Sequence, residues 1–192
     1  QVMVSDLLTV IDKLESPVDI IGHSMGGKAA MLLSCLYPTF VNKIAVLDIA
    51  PVKYEHSQLD KVLALLSVDL SKIVQRSDID WLLLRDIPDS RERSFLMLNL
   101  VRRDGGYKWK INLNALQKNM PDIMDFPDHN FSFAKPALFV SGSESSYIKE
   151  EYLHTIKNAF PNYRLEIIHN SGHWIHVDNP TALLLALSDF FS

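Results

Sequence analysis

A serine at neutral pH is a poor nucleophile unless a neighbouring base takes its proton. The residues to look for are therefore a serine in a context that exposes it and a histidine that can reach it. Gly22-His23-Ser24-Met25-Gly26-Gly27 supplies the serine. It fits G-x-S-x-G, a tight strand-to-helix turn that lifts the central hydroxyl clear of a sheet. Such a turn strains the backbone of its central residue, and small residues two positions to either side avoid a clash; Gly22 and Gly26 stand there. The same geometry aims the backbone N–H of Met25, at the start of the helix, toward a developing oxyanion. A glycine-rich turn with an inert serine would give the same short match, so the strand before it, the helix after it and partners downstream decide.

The base has seven histidines to choose from. His173, in Asn170-Ser171-Gly172-His173-Trp174, follows the last expected strand, where the chain order serine, acid, histidine puts it. His23 lies inside the turn, set to pack or hydrogen-bond beside Ser24; it and Trp174 are also candidates to touch substrate. His176 falls at the approach to a helix, and His56, His129, His154 and His169 read as surface or strand-end residues. A third member must orient the imidazole and stabilise its charged form. One candidate is Glu144, the acid in the loop Ser141-Gly142-Ser143-Glu144-Ser145-Ser146-Tyr147. The other is Asp48, which closes the apolar strand Ile44–Leu47, where a carboxylate needs a polar partner. Neighbouring strands lie about 4.8 Å apart, so Asp48 can reach a histidine loop overhead. A turn-capping aspartate before Ala50-Pro51 is its plainer account, and Glu144 stands as the alternative acid.

Elements must hold these groups. Val4, Leu7, Leu8, Ile11 and Leu14 recur at helical spacing and predict a helix over 2–15, ended by Ser16-Pro17. A buried strand follows at Val18–Ile21, a helix from Ser24 to Leu36 and a strand at 43–48. This alternation implies parallel strands joined by crossovers. From about Val52 to Lys135 the pattern is of helical patches only (59–66, 79–84, 91–101, 113–119), with one extended piece at Tyr107–Ile111. Alternation resumes with a strand at 137–141, a helix at 149–160, a strand at 164–168 and a helix at 181–190. The expected organisation is α/β: core residues 1–52, a helical cap 53–135, and core residues 136–192. Four core strands are few for this architecture and the chain opens on a helix, so N-terminal strands are expected to be absent from this chain.

Bulk properties restrict the function class. With 192 residues and net charge −4, the chain lacks the basic footprint of a nucleic-acid binder. Its one cysteine, Cys35, excludes an intramolecular disulfide and fits a reducing compartment. No apolar run reaches the roughly 20 residues that span a bilayer. A cytoplasmic location, with neither nucleic acid nor membrane as partner, is the expectation. No H-E-x-x-H or paired-cysteine motif is present, so neither metal nor organic cofactor is expected.

Gly22-His23-Ser24-Met25-Gly26-Gly27-Lys28 followed by Asp48-Ile49-Ala50-Pro51-Val52 resembles the YbfF-type esterases and their eukaryotic relatives, the ABHD-eleven-type hydrolases. Phe95–Leu100 and Tyr107–Leu113 agree, as do Gly142-x-x-Ser145 and Gly172-His173-Trp174-Ile175-His176. The resemblance implies the α/β-hydrolase fold, a mostly parallel sheet flanked by helices, with a helical cap over the active site. It implies Asp48 as the acid and a serine-containing loop in place of the usual later aspartate. Short acyl esters are the implied substrates, with acyl-CoA thioesters a further class. Phe95, Leu96, Leu98, Trp109 and Leu113 become candidates to line an acyl pocket, although such a stripe more often packs a cap internally. Members of the family also carry N-terminal strands and a His-Gly loop that gives the second oxyanion N–H. Losing one such donor costs roughly 10²–10³ in rate, so this chain alone is expected to be poorly active or misfolded. The expected activity is ester or thioester hydrolysis through Ser24, His173 and Asp48. Alternatives on the same fold are a carbon–carbon bond hydrolase, a menaquinone-pathway lyase and a non-catalytic ligand-binding homologue.

Overall fold

Short β-branched and apolar runs closed by glycine or aspartate become strands, and amphipathic runs between them become helices. The computed structural model of the chain describes residues 2–14, 17–103, 105–127 and 132–192. Ser16, Asp104 and His129 lie outside the described residues. In chain order the elements are α1 (Val2–Ile11), β1 (Val18–His23), α2 (Met25–Leu36), β2 (Val41–Leu47), α3 (Leu59–Ser67), α4 (Arg76–Leu83), α5 (Ser90–Leu96) and β3 (Leu100–Arg103). There follow β4 (Gly106–Trp109), α6 (Leu113–Met124), β5 (Ala137–Gly142), α7 (Leu153–Ala159), β6 (Tyr163–Ile168), α8 (Ile175–Asp178) and α9 (Pro180–Phe191). The chain divides into two compact units, one of residues 1–52 with 126–192 and one of residues 53–125.

In the first unit β1, β2, β5 and β6 form one parallel sheet in that spatial order. The central strand β5 is buried at every residue, as a strand covered on both faces should be. Ala45, Leu47, Leu138, Val140 and Ile168 pack with Ile175 and Leu183 on the face covered by α8 and α9. Phe139, whose neighbours in sequence belong to that face, turns to the other and meets Phe160 edge-on at 5.4 Å. The register pairs His23 with Leu47 and Leu47 with Val140. The residues that follow, Ser24, Asp48 and Ser141, therefore stand side by side at the sheet's carboxyl edge, where open α/β sheets bind ligands.

The second unit packs α3–α6 and a ribbon of β3 and β4 around Val62, Leu65, Ile79, Leu83, Ile87, Met97, Leu100, Leu113 and Met120. Side chains close its helix ends. Asp89 accepts from the Arg91 and Glu92 N–H groups, and Asn112 from that of Ala115. Arg93, 6% exposed, donates to Asp80 at 2.9 Å and to the carbonyls of Ile87 and Pro88 at 2.8 and 2.9 Å. The Tyr54 N–H bonds the Met124 carbonyl at 3.0 Å, so the chain enters and leaves this unit at neighbouring points.

Three expectations are corrected. The helix predicted over 91–101 is α5, one 3-10 turn at Met97–Asn99, and then β3. Leu100 and Val101 continue the helical spacing of apolar residues, but they alternate across an antiparallel pair with Trp109 and Lys108, and Gly105 at φ 79° makes the turn. The piece expected to be extended at Tyr107–Ile111 holds most of β4, and β3 is its partner. The first helix ends at Ile11, and Lys13 and Leu14 close i→i−3 bonds beyond it. His176, expected at a helix approach, lies within the short α8. No helix among the described residues is long and apolar enough to cross a membrane.

Candidate active site

Ser24 stands between the last residue of β1 and the first of α2 with φ 52° and ψ −120°. A non-glycine residue there stores strain on the order of 1–3 kcal/mol, held only because its surroundings over-determine it. Its N–H extends the sheet to the Leu47 carbonyl at 3.0 Å, while its own carbonyl accepts the Lys28 N–H at 3.1 Å. A side chain at Gly22 would put its Cβ 2.5 Å from the Gly26 carbonyl oxygen, so the close approach of strand and helix requires glycine. Met25 opens α2; its backbone N–H belongs to the first turn, which has no intrahelical acceptors. The Met25 side chain is exposed.

Asp48 follows β2 with φ 51° and is fully buried. Its Oδ1 accepts the Gly142 N–H at 3.2 Å and lies 3.4 Å from the Ser141 hydroxyl. Its Oδ2 accepts the Ser145 hydroxyl and, at 2.8 Å, the His173 Nδ1–H. A carboxylate taken out of water costs several kcal/mol unless such donors replace its hydration. With Nδ1 donating to Asp48, Nε2 of His173 is the free lone pair, and it lies 3.0 Å from the Ser24 hydroxyl that donates to it. Ser24, His173 and Asp48 are thus brought into one hydrogen-bonded line.

The loop carrying His173 is fixed from several sides. Asn170, at φ 55°, turns the chain after β6, and its N–H bonds the Ser143 hydroxyl at 3.0 Å. The Gly172 N–H donates to the Asp178 carboxylate at 2.9 Å, and the Glu144 N–H donates to the Ser171 carbonyl at 2.9 Å. Tyr147 stacks on the His173 ring with centroids 3.8 Å apart and planes 20° from parallel. His23 donates from Nε2 to the His173 carbonyl at 2.8 Å. Burial holds the His23 pKa below the ordinary histidine value, against the opposing pull of that backbone bond. The described non-glycine residues with positive φ are Ser24, Asp48 and Asn170, all at this site.

The other expected residues lie as follows. Glu144 is exposed, and its carboxylate bonds none of these groups. Trp174 is partly buried and precedes α8. Leu113 is 4% exposed inside the core of residues 53–125, and Leu96 and Trp109 pack against that core. Phe95 and Leu98 are 48% and 70% exposed. Reading the sequence residue by residue missed Tyr147, Gly142 and Ser141 as supports. The register held a signal for two of them: if Asp48 ends β2, the adjacent strand ends in Ser141-Gly142, the nearest donors for a buried carboxylate. Among the described residues no group of three or more His, Cys, Asp or Glu side chains could hold a metal ion.

The description of the family whose model matches residues 6–180 is alpha/beta hydrolase fold, and the chain belongs to that family. Within it the sequence falls with the YbfF and ABHD11 proteins. It is 32% identical over 182 residues to the sn-1-specific diacylglycerol lipase ABHD11 of Mus musculus, covering 92% of this chain and 59% of that protein. It is 31% identical over 192 residues to Esterase YbfF of Escherichia coli (strain K12), covering 99% and 74%. The structure of a marine microorganism esterase superposes with a TM-score of 0.93 at 38% identity, covering 97% of this chain and 75% of that one. The chain spans about three-fifths of the length of the vertebrate relatives it matches.

Proposed function

We propose that the chain is a serine hydrolase that cleaves carboxylic esters or acyl thioesters of small molecules through an acyl-enzyme. The observation that carries this is the placement of His173, 3.0 Å from the Ser24 hydroxyl on one side and 2.8 Å from Asp48 on the other. The likeness to proteins named esterase and lipase supports ester substrates.

In the first half-reaction Ser24 Oγ forms a bond to the acyl carbonyl carbon as its proton passes to His173 Nε2. The carbonyl electron pair moves onto oxygen, and the Met25 N–H at the head of α2 meets that charge. Asp48 faces the imidazolium formed, stabilising it without taking its proton. Collapse expels the alcohol or thiol, which receives the proton from Nε2. Water then repeats the sequence, with His173 as base toward water, and releases the acid and free Ser24. Nothing in these steps calls for a metal or organic cofactor.

The test is a fluorophosphonate probe read by intact mass on the folded protein, with Ser24→Ala beside it. One adduct on the parent and none on the variant is the expected result, since the probe requires only an activated serine. A folded parent that takes no adduct would sink the reading. Turnover of an acyl-CoA at a rate comparable with an aryl ester would extend it to thioesters.

A further inference from the structure

We propose that the outer face of the β3–β4 ribbon is a docking surface for an anionic lipid bilayer. Pairing of Leu100 with Trp109 and Val101 with Lys108 fixes which residues share a face. Leu100 is buried in the core of residues 53–125 and Trp109 packs against it, so that face is inner. Val101, Arg103 and Lys108 take the other, and the Lys110 N–H bonds the Asn99 carbonyl at 2.7 Å, which carries the pairing one step on and places Lys110 with them. Arg103, Lys108 and Lys110 are exposed. Arg102, also exposed, sits at the tip with its guanidinium 5.9 Å from the Tyr107 ring centroid.

Residues 98–111 hold four basic side chains and one acid, Asp104, within a chain of net charge −4. The charge is thus segregated: this short ribbon is cationic and the rest of the molecule is acidic. Beside the base of the ribbon, Leu98 is 70% exposed. Cations on this face, with an exposed leucine one residue before Asn99 at its base, match the boundary of a charged bilayer, where phosphates meet the basic groups and a leucine enters the acyl margin. Guanidinium and ammonium groups would also meet the phosphates of a nucleic acid, but that ligand gains nothing from Leu98. Strands of four residues extend only about 14 Å, too short a track for a polyanion, whose further phosphates would face the acidic remainder. The expectation of no membrane partner rested on the lack of a spanning segment, which bears on crossing a bilayer and not on lying against one.

Co-sedimentation of the purified protein with phosphatidylcholine vesicles, with and without about one-third phosphatidylserine, tests this. The expected result is binding to the anionic vesicles alone, weakening as salt shortens the screening length. Arg103→Glu with Lys108→Glu is expected to weaken binding on the order of 100-fold, and Leu98→Ser to weaken it roughly 5-fold. Thermal unfolding should be unmoved, because all three positions are exposed. Vesicles that bind parent and charge-reversed protein alike would overturn the proposal, as would no binding at all. Tighter binding to duplex DNA than to vesicles would overturn it in favour of a nucleic-acid surface. Turnover of a soluble aryl ester is expected to be the same in the parent and in Arg103→Glu with Lys108→Glu, so this surface and the hydrolase reading fail independently.

Discussion

Asp48 has to be both buried and charged for the proposed chemistry, and it reconciles the two by accepting from Gly142, Ser145 and His173 at once. Asp48→Asn keeps the shape but turns an N–H₂ toward His173 Nδ1. The imidazole then presents a lone pair there and carries its proton on Nε2, where it can no longer accept from Ser24. Turnover of an aryl ester is expected to fall by about 10⁴ with little change in KM; an unchanged kcat would remove Asp48 from the mechanism. His23 gives a second test, through pH. Burial lowers its pKa in the folded chain, so between that lowered value and the ordinary 6.5 the unfolded chain binds the extra proton. Its contribution to stability is therefore complete above about 6.5 and is lost as pH falls below it. His23→Gln retains a donor toward the His173 carbonyl and does not titrate. The fall in melting temperature from pH 7 to pH 5 should be shallower in the variant than in the parent.

The elements that place these residues were legible to different degrees, for physical reasons. β1, β2 and β5 announce themselves as short apolar runs closed by glycine or aspartate, β6 by the alternation of Tyr163, Leu165 and Ile167 with Arg164 and Glu166, and α2 by its position between the turn at Ser24 and Pro38. Of the ribbon only β4 was legible, as the extended piece at Tyr107–Ile111; the four residues of β3 carry too few alternations to outweigh the helical spacing that leads into them. Ser24 and His173 were readable from motif and chain order, while Asp48 and Glu144 could be separated by spacing only once it was clear which strand lies beside which. The supports of Asp48 came into view with the register of β5. At that register Gly142 is the contact that decides: a Cβ there would collide with the backbone carbonyls of Ser171 and Gly172. Neither partner is a flexible side chain, so Gly142→Ala must push β5 and the histidine loop apart. Loss of fluorophosphonate labelling together with a lowered melting temperature is expected. In the other unit, Arg93→Met leaves the Ile87 and Pro88 carbonyls without their buried donor. That substitution is expected to cost roughly 2–4 kcal/mol of stability, read by denaturant unfolding.

At the scale of the molecule, Ser24, Asp48 and His173 all belong to the unit of residues 1–52 and 126–192, together with Gly142, Ser145, Tyr147 and His23 that hold them. Residues 53–125 have a core of their own, and Arg93 and the helix caps are satisfied within it. Activation of the serine should therefore not require the second unit. The Tyr54 to Met124 bond at 3.0 Å sets the two crossing points close together, so a few glycines can replace residues 55–123 at a small cost in loop closure. The shortened chain is expected to fold, to take a fluorophosphonate adduct at Ser24 and to lose it on Ser24→Ala. Its labelling rate, compared with that of the parent, measures what the second unit adds to the reactivity of the serine. A shortened chain that folds, judged by circular dichroism and a cooperative melt, yet takes no adduct would mean that the hydrogen-bonded line at the sheet edge is insufficient. Residues 53–125 would then hold a group the nucleophile needs, and the search for it would move to their polar side chains.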